Sequence, residues 1–463
     1  MALLALVIAG SAASDLPPFL IKSQVTLAAD GATLSGTLYT PNSAPPAGGR
    51  PAIVFFHGLG GTRQDLDQLI ERMGPYPFEM VAFDARGHGQ SEGMTTIDGP
   101  REMADTRAIF DWMASQPDVN RDEIGAWGIS MGGGAVLRSL VEGVPWAAVA
   151  TAETWTNLFS SLAPENLSKS GAVSQFLSSV PADRLDPSVA ALRDDMIASR
   201  NLSTLRTFGA VRSSRTMLSK VHKPVLFMQG RRDFAFDIDQ ALAGYRLVKG
   251  PKQLYIGDFG HSPSTFPGPD FEKVAETSRS WFSRWLEDAK VPYAPVTLAP
   301  DPWRGKLRTF KGLPPTRTAR VSFSGTNSVT GEGRAIRSTG RTRAKLETFG
   351  AGQIHLTAKV SGGWQRLVAV LTATTPKHKT IVLSEGGINT TGLRGKHKLT
   401  VRLISDATLI PKGSKLTLTL ASNSLAQNPG NLLYLDLPQP PAAKITLGPA
   451  RLDLPVLRKP ISR

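Results

Sequence analysis

The chain has 463 residues, too many for one ordinary hydrophobic core, so two or three domains are expected. Hydrophobic residues make up 41% and charged residues 20%, a balance typical of globular proteins. Cysteine is absent, which excludes disulfides, thiolate metal sites and a cysteine nucleophile. The formal net charge of +15 is uneven, because residues 1–300 hold 27 Lys and Arg against 31 Asp and Glu, whereas residues 301–463 hold 26 against 7.

The first fourteen residues, MALLALVIAGSAAS, form a short apolar stretch followed by small residues. This pattern is typical of the apolar core and cleavage site of a signal peptide, although the basic leading region is missing. The segment is too short to cross a bilayer, so no transmembrane segment is expected. It predicts a secreted or cell-envelope protein, with a cytoplasmic location as the alternative.

Between residues 15 and 292, short β-rich runs alternate with amphipathic stretches, which is typical of parallel βαβ units. The predicted strands are 51–56, 80–83, 124–128, 147–150, 224–229 and 253–256. The predicted helices are 65–73, 101–115, 133–141 and 271–289. Residues 152–218 contain helix-like pieces without a strand pattern, and we expect them to form a helical cap inserted between two strands.

The pattern changes after residue 292, at the proline-rich stretch VPYAPVTLAPDPWRG, which predicts a linker. Helical periodicity then disappears, and turn clusters such as SEGG and PKGSK separate short β-rich runs. These predicted strands are 353–360, 364–373, 380–383, 398–404, 415–421 and 444–447. The pattern predicts an all-β sandwich or jelly roll over residues 293–463.

The positive charge of residues 301–463 would attract an anionic partner, such as a cell-surface polymer. No recognition helix or RNA-binding motif accompanies this charge, so nucleic-acid binding is not expected. An alternative function is therefore that of a surface- or wall-binding protein in which the basic β-region dominates.

The stretch GISMG, residues 128–132, places Ser130 where a predicted strand becomes a predicted helix. In a nucleophile elbow this turn lifts a serine hydroxyl above the edge of the sheet. The flanking backbone segments come so close that the positions two before and two after the serine must be small. Gly128 and Gly132 meet this requirement, so Ser130 is the candidate nucleophile.

A serine hydroxyl needs a base to accept its proton. Six of the seven histidines precede the serine, precede a strand or lie in the β-rich region: His57, His88, His222, His355, His378 and His397. His261, in YIGDFGHSPST, follows the last apolar strand of the α/β region and is the predicted base. An ordinary histidine pKa of about 6.5 would make activity fall as His261 is protonated in acid.

The predicted base needs an acid, which follows the serine and precedes the histidine in chains of this kind. Asp233, in VLFMQGRRDFAFD, comes just after a predicted strand and is our choice. Asp237 lies a helical turn beyond it, and Asp258 is too close to His261 in the chain to reach it. Glu153, just after the preceding strand, remains an alternative acid.

Acyl transfer also needs hydrogen-bond donors for the developing oxyanion. The turn after a strand in FFHGLGG predicts that the Leu59 amide is one donor, and the Met131 amide beside the nucleophile is the second. Neither phosphate-binding glycine motif is present, so a nucleotide role is not expected. We expect neither a metal nor a cofactor.

The stretch FDARGHGQSEG, residues 83–93, resembles a loop of the Xaa-Pro dipeptidyl-peptidase and cocaine-esterase superfamily. Residues 412–423 and 452–457 resemble a late strand and the closing segment of its C-terminal domain. The resemblance implies an α/β-hydrolase fold with a short helical cap, followed by a jelly roll. It also implies a serine hydrolase that acts on a small acyl ester or on a short peptide with proline second.

The same resemblance implies that Ser130, Asp233 and His261 form the catalytic triad. One departure is the HGLGG turn, because members of this superfamily often use a tyrosine in the oxyanion hole. The choice between an ester and an Xaa-Pro peptide therefore stays open.

Overall fold

The computed structural model describes residues 20–74, 76–425 and 433–462. The signal-like segment at residues 1–14 lies outside this part of the chain. Within the described ranges, no helix is both long enough and apolar enough to cross a membrane.

A ten-stranded sheet forms the centre of the first 310 residues. Its strands are β1 (Leu20–Ala29), β2 (Ala32–Pro41), β3 (Arg50–Phe56), β4 (Glu79–Phe83), β5 (Val119–Ile129), β6 (Val149–Ala152), β7 (Val225–Gly230), β8 (Lys252–Gly257), β9 (Val296–Leu298) and β10 (Arg308–Phe310). The spatial order is β1-β2-β4-β3-β5-β6-β7-β8-β9-β10. Strands β3 to β9 pair in parallel, whereas β1, β2 and β10 join antiparallel.

Ten α-helices accompany this sheet. They are α1 (Asp67–Met73), α2 (Pro100–Ala114), α3 (Met131–Val141), α4 (Leu158–Leu162), α5 (Ser170–Ser178), α6 (Pro187–Ala190), α7 (Arg193–Ala198), α8 (Leu202–Ala210), α9 (Ile238–Leu247) and α10 (Phe271–Leu286).

Both faces of the sheet are covered, which explains why its central strands are continuously apolar. Successive side chains point to opposite faces of a strand, so Ala52 and Val54 join a core with α2, α3 and α9, while Ile53 and Phe55 join a core with α1 and α10. All six predicted strands of this region overlap strands β3 to β8.

The prediction that the proline-rich stretch is a linker is wrong for residues 296–298, which belong to the sheet. They form β9, which pairs in parallel with β8. Val296 and Leu298 are fully buried in the main core, and this burial holds the segment on the sheet. Its prolines lie outside the paired residues, where the missing N–H groups cost no strand hydrogen bond.

Helices α4 to α8 lie between β6 and β7, within the segment predicted as a cap insertion. This segment contains no strand in the described structure. Its apolar residues pack in a separate cluster with Met131, which follows Ser130, and with Phe236. The cap therefore lies over the edge of the sheet at which Ser130 is placed.

The remaining strands form an all-β region. They are β11 (Thr316–Phe323), β12 (Asn327–Thr330), β13 (Ala335–Arg341), β14 (Leu346–Glu347), β15 (Gly350–Ser361), β16 (Arg366–Thr374), β17 (Thr380–Asn389), β18 (Gly395–Asp406), β19 (Leu409–Ile410), β20 (Lys415–Ala421) and β21 (Lys444–Leu457). One sheet has the order β11-β21-β15-β18, with β12 also on β21; a second has the order β13-β20-β16-β17; and β14 pairs with β19. All pairings are antiparallel, and one apolar core receives side chains from both larger sheets.

The predicted fold class is therefore confirmed: an α/β-hydrolase region with a helical insertion precedes an antiparallel β-region. Strands β11 to β14 were not predicted. Strand β11, for example, reads TRTARVSF and buries only its last residue fully, so its hydrophobic pattern is weak.

The β-region holds the segment that follows β7. Arg231 forms a buried ion pair with Glu347, and Glu347 also accepts hydrogen bonds from the backbone N–H groups of Ile461 and Ser462. Arg232 donates to the Val382 carbonyl at 2.8 Å. These contacts fix the chain two residues before Asp233.

We expect Glu347→Gln to destabilise the protein by about 3–5 kcal/mol, because it leaves the Arg231 charge buried without its partner. Denaturant unfolding followed by tryptophan fluorescence would measure this loss. Glu332→Gln, which changes an exposed carboxylate of the same region, is the control and should have little effect. Equal stability of the two variants would contradict the expectation.

Candidate active site

Ser130 lies on a strained turn between β5 and α3. Its backbone has φ 53° and ψ −117°, in the left-handed region that non-glycine residues rarely adopt. A Cβ atom added to Gly128 would lie 2.2 Å from the Gly132 carbonyl oxygen, and one added to Gly132 would lie 2.3 Å from that of Phe56. The turn therefore requires glycine at both positions, as the elbow pattern predicts.

The three side chains predicted to form a triad lie in one hydrogen-bonded chain. Ser130 Oγ is 3.0 Å from His261 Nε2, and His261 Nδ1 is 2.8 Å from Asp233 Oδ2. An ionised carboxylate only accepts hydrogen bonds, so Nδ1 carries the proton and Nε2 is free to accept from the hydroxyl. The structure thus brings together residues from the ends of β5, β7 and β8.

Asp233 is held firmly in this arrangement. Its Oδ1 atom accepts hydrogen bonds from the backbone N–H groups of Ala235 and Phe236 at 3.0 and 2.9 Å. The Gln229 amide donates to Oδ2 at 3.2 Å. Four donors fix the carboxylate, including His261, so its orientation does not depend on the imidazole alone.

Glu153, the alternative acid, also approaches the imidazole. Its Oε2 atom lies 3.6 Å from His261 Nδ1, beyond hydrogen-bond distance, whereas Asp233 lies at 2.8 Å. The geometry therefore favours Asp233 as the direct partner of Nδ1, with Glu153 as a neighbouring carboxylate.

These neighbours shift the protonation of the site. Burial lowers the pKa of the His261 imidazole, but the Asp233 charge and hydrogen bond, with the Glu153 charge, outweigh burial and raise the pKa to about 9. Burial raises the pKa of Glu153 to about 8. Burial lowers the pKa of Lys169, a cap residue whose ammonium donates to the Ala235 carbonyl at 2.8 Å, to about 8.

The turn that carries Leu59 borders the serine hydroxyl. A Cβ atom added to Gly58 would lie 3.8 Å from Ser130 Oγ. His57 holds this turn, because its Nδ1 donates to the Gly58 carbonyl at 2.7 Å while its Nε2 accepts from the Ala85 N–H at 2.8 Å. Burial, with His88 nearby, lowers the pKa of His57 to about 4. This histidine is therefore neutral and structural.

Met131 is the first residue of α3, directly after Ser130. Leu59 follows Gly58 in the turn beside the hydroxyl, and Met131 lies at the N-terminal end of a helix, which carries partial positive charge. Their function as oxyanion donors stays a prediction.

Aromatic side chains border the imidazole on the cap side. The rings of Phe176, from α5, and Phe236 lie edge-on to the His261 ring at centroid distances of 5.5 and 5.2 Å. The two phenylalanine rings stack on each other, and Trp155 contacts Phe236 at 5.0 Å. The site is therefore polar along the Ser–His–Asp chain and apolar beside it.

The FDARGHGQSEG stretch supports the turn that carries Leu59, and within the described ranges it forms no hydrogen bond with Ser130, His261 or Asp233. Asp84 is fully buried and pairs with Arg63, which begins the short 3-10 helix after that turn. Arg86 pairs with Asp105 of α2 through two hydrogen bonds, at 2.8 and 2.6 Å. These buried pairs connect the loop after β4 to the elements on either side.

The carboxylates and the imidazole of the site could also be considered as metal ligands. One ligand atom from each of Glu153, Asp233 and His261 lies within 4.8 Å of the others. His261 Nδ1 is already hydrogen-bonded to Asp233, however, and would have to give up its proton to bind a cation. The donor set thus fits a hydrogen-bonded acid–base chain better than a metal site.

A family model for the X-Pro dipeptidyl-peptidases (S15 family) matches residues 30–263, half of the chain, from β2 through the loop that carries His261. The chain belongs to the X-Pro dipeptidyl-peptidase (S15) family.

Solved structures extend the likeness of this S15-family chain to nearly its full length. A CocE/NonD family hydrolase from Staphylococcus aureus has a TM-score of 0.73 and 12% identity, covering 95% of this chain and 94% of its own. An aminopeptidase from the marine sediment archaeon Thaumarchaeota archaeon has a TM-score of 0.65 and 15% identity, covering 96% and 99%. These likenesses show the fold.

Among curated proteins, the quorum-quenching protein AidA of Acinetobacter baumannii (strain MDR-ZJ06) is 34% identical over 135 residues. The match covers 27% of this chain and 42% of AidA, so the chain spans less than half of that relative. Family and fold together identify the chain as a serine-type hydrolase, an esterase or a peptidase.

Two features of this S15-family site were missed from the sequence. Lys169 and Phe176 belong to the cap, where neither a strand end nor a motif marks a residue as near the site. Their helix-like neighbours indicate only an amphipathic segment. The contact of Phe176 with His261 and that of Lys169 with the Ala235 carbonyl both depend on how the cap folds back over the sheet.

The raised pKa of His261 changes the pH dependence expected from the sequence. The imidazole accepts a proton only when neutral, so activity rises with pH through its pKa. We expect the midpoint of the acid limb of kcat/KM, measured with an uncharged ester, to lie above 6.5 and towards 9. A midpoint at 6.5 or below would contradict the expectation, and unchanged fluorescence across the range would exclude unfolding as its cause.

Proposed function

We propose that this protein hydrolyses small acyl esters or short peptides through an acyl-enzyme formed on Ser130. The observation that carries the proposal is the pair of hydrogen bonds from Ser130 Oγ to His261 Nε2 and from His261 Nδ1 to Asp233, at 3.0 and 2.8 Å. The strained elbow supports it, because the strain orients the hydroxyl at the sheet edge where the other two side chains meet it.

In the proposed reaction, Ser130 Oγ attacks the substrate carbonyl carbon as His261 Nε2 takes the hydroxyl proton. The amides of Leu59 and Met131 donate to the oxyanion. His261 then gives the proton to the leaving alcohol or amine as its bond to the carbonyl carbon breaks, which leaves Ser130 acylated. A water molecule, deprotonated by His261, attacks the acyl group, and the acid leaves with Ser130 restored.

The substrate class follows from the surroundings of the hydroxyl. Phe176 is a half-buried apolar side chain beside His261, with the buried rings of Phe236 and Trp155 behind it, and it suits an apolar acyl or leaving group. Related proteins are named for different bonds: one structural neighbour is named as an alpha-amino acid ester hydrolase, whereas the archaeal neighbour is named as an aminopeptidase and the family model is that of X-Pro dipeptidyl-peptidases. We propose ester hydrolysis first, with Xaa-Pro peptide cleavage as the second substrate class.

The test combines labelling with a substrate comparison. A fluorophosphonate probe should label the wild-type protein at Ser130, found by peptide mass spectrometry, and should not label Ser130→Ala. An activated acetate ester and a Gly-Pro anilide then separate the two substrate classes. If the probe gives no adduct while the whole protein binds an anionic polymer in a salt-sensitive way, the alternative of a surface-binding protein would replace this proposal.

A further inference from the structure

Glu153 comes directly after β6 and points into the site between two catalytic candidates. Its side chain is buried, and its Oε2 atom lies 3.6 Å from His261 Nδ1. Its backbone has φ 50°, in the left-handed region, and its N–H donates to the Met228 carbonyl at 3.0 Å. A glutamate in this conformation is strained, so the surrounding structure holds it there at a cost in stability.

The Glu153 side chain has no evident structural partner. Its Oε1 atom is buried and has no hydrogen-bond partner among the residues that the structure describes. A buried carboxylate oxygen without a donor costs about 1–3 kcal/mol or more, so an ordinary core residue at this position would be more stable. Glu153 therefore combines a strained backbone with a carboxylate oxygen that accepts no hydrogen bond. This combination indicates that the residue is kept for its function and not for stability.

Two carboxylates therefore converge on one imidazole nitrogen from adjacent parallel strands. Asp233 follows β7 and contacts Nδ1 at 2.8 Å, and Glu153 follows β6 and is 0.8 Å more distant. Removing the Asp233 charge would leave Glu153 as the remaining carboxylate near Nδ1.

We propose that Glu153 is a second positioning carboxylate of the Ser130–His261–Asp233 chain, able to orient and stabilise the His261 imidazolium when Asp233 cannot. The inference rests on the proposed function, because it concerns the base of that reaction. Both acids then act on the same nitrogen of His261, Asp233 through a direct hydrogen bond and Glu153 through its charge.

The charged groups that face His261 come from three elements. The charges of Asp233 and Glu153 stabilise the imidazolium. The positive charge of Lys169, a cap residue hydrogen-bonded to the Ala235 carbonyl, destabilises it. Asp270 also acts on Glu153 and, like Asp233, favours its neutral form. Above its own pKa of about 8, Glu153 is negatively charged and raises the pKa of His261, so its removal should move the acid limb of the pH profile to lower pH.

The test compares the variants Asp233→Asn, Glu153→Gln and the double variant, assayed by kcat with an activated ester. In a triad with a single acid, the Asp→Asn change lowers turnover by about 10⁴. We expect kcat to fall only about 10- to 10²-fold in Asp233→Asn and a few-fold in Glu153→Gln. In the double variant kcat should fall about 10⁴-fold. In Glu153→Gln, the midpoint of the acid limb should fall by about half a pH unit or more.

Glu123→Gln is the matched control, since Glu123 is a half-buried glutamate of β5 that lies seven residues before Ser130 on the strand that leads to it. Added to Asp233→Asn, it should change kcat little and leave the pH midpoint in place. The inference would be overturned if Asp233→Asn alone fell as far as the double variant, or if Glu153→Gln left the midpoint unmoved. The second measurement needs only a single variant, so it stands even where the double variant fails to fold.

Failure of this inference differs from failure of the proposed function. If Ser130→Ala kept its activity, the proposed function itself would be wrong, whatever Glu153 does. If Ser130→Ala were inactive and kcat of Asp233→Asn fell by about 10⁴, the triad would stand with Asp233 as its only acid.

Discussion

Replacing Ser130 with alanine is expected to lower kcat for an activated ester by about 10⁵–10⁶, with little change in KM. The alcohol oxygen is the atom that becomes acylated, and no other hydroxyl on the elbow can take its place. The residual rate would come from the oxyanion donors and substrate binding, which do not depend on the nucleophile. Stopped assays with purified variant over long incubation would measure a rate this low.

Two comparisons make this result specific. Ser328→Ala, an exposed serine on β12, should keep full activity. His261→Ala should lower kcat as much as Ser130→Ala does. The variant that lacks both side chains should have no lower kcat than either single variant, because the two side chains act as one unit. Independent, additive losses would show that Ser130 and His261 do not share a step.

The second large effect is expected at the elbow glycines. Gly132→Ala places a methyl group 2.3 Å from the Phe56 carbonyl oxygen, on the strand that leads into the oxyanion turn. Either β3 or α3 must shift, and a displacement of about 1 Å at the reacting atoms costs about 10² in rate. We expect a loss of at least this size together with a lower melting temperature.

Gly340→Ala serves as the control, since a Cβ atom at this position in β13 meets nothing within 4 Å. It should leave both kcat and the melting temperature near their wild-type values. A Gly132→Ala variant with normal activity would mean that the elbow can relax without moving the hydroxyl, and the steric argument for the turn would then be wrong.

The sequence predicted the parallel strands of the sheet because each is a short apolar run bounded by turn residues. It predicted the elbow because two glycines flank a serine at a strand-to-helix junction. Asp233 and His261 followed from the rule that side chains after parallel strands meet at one edge. These are local signals, and they point to the same edge without any knowledge of the loops between them.

Other features of the molecule depend on long-range packing. The β1–β2 hairpin and β9 carry weak or proline-rich patterns, and neighbouring strands hold them in the sheet. The approach of Glu153 to His261 depends on the spacing of β6 and β7, so the sequence could offer it only as an alternative acid. Likewise, the raised pKa of the imidazole arises from two carboxylates whose charges outweigh the opposing effect of burial, and an ordinary reference value includes neither effect.

The contacts between Arg231 and the C-terminal β-region bear on how this enzyme acquires activity during folding. Arg231 precedes Asp233 by two residues, yet its side chain contacts Glu347 and Ser462, the latter 231 positions along the chain. Contacts over such separations form late, after the loops that join them have closed. We therefore expect the hydrolase sheet to assemble first, and the segment before Asp233 to be fixed in place when the last β-strands fold against it.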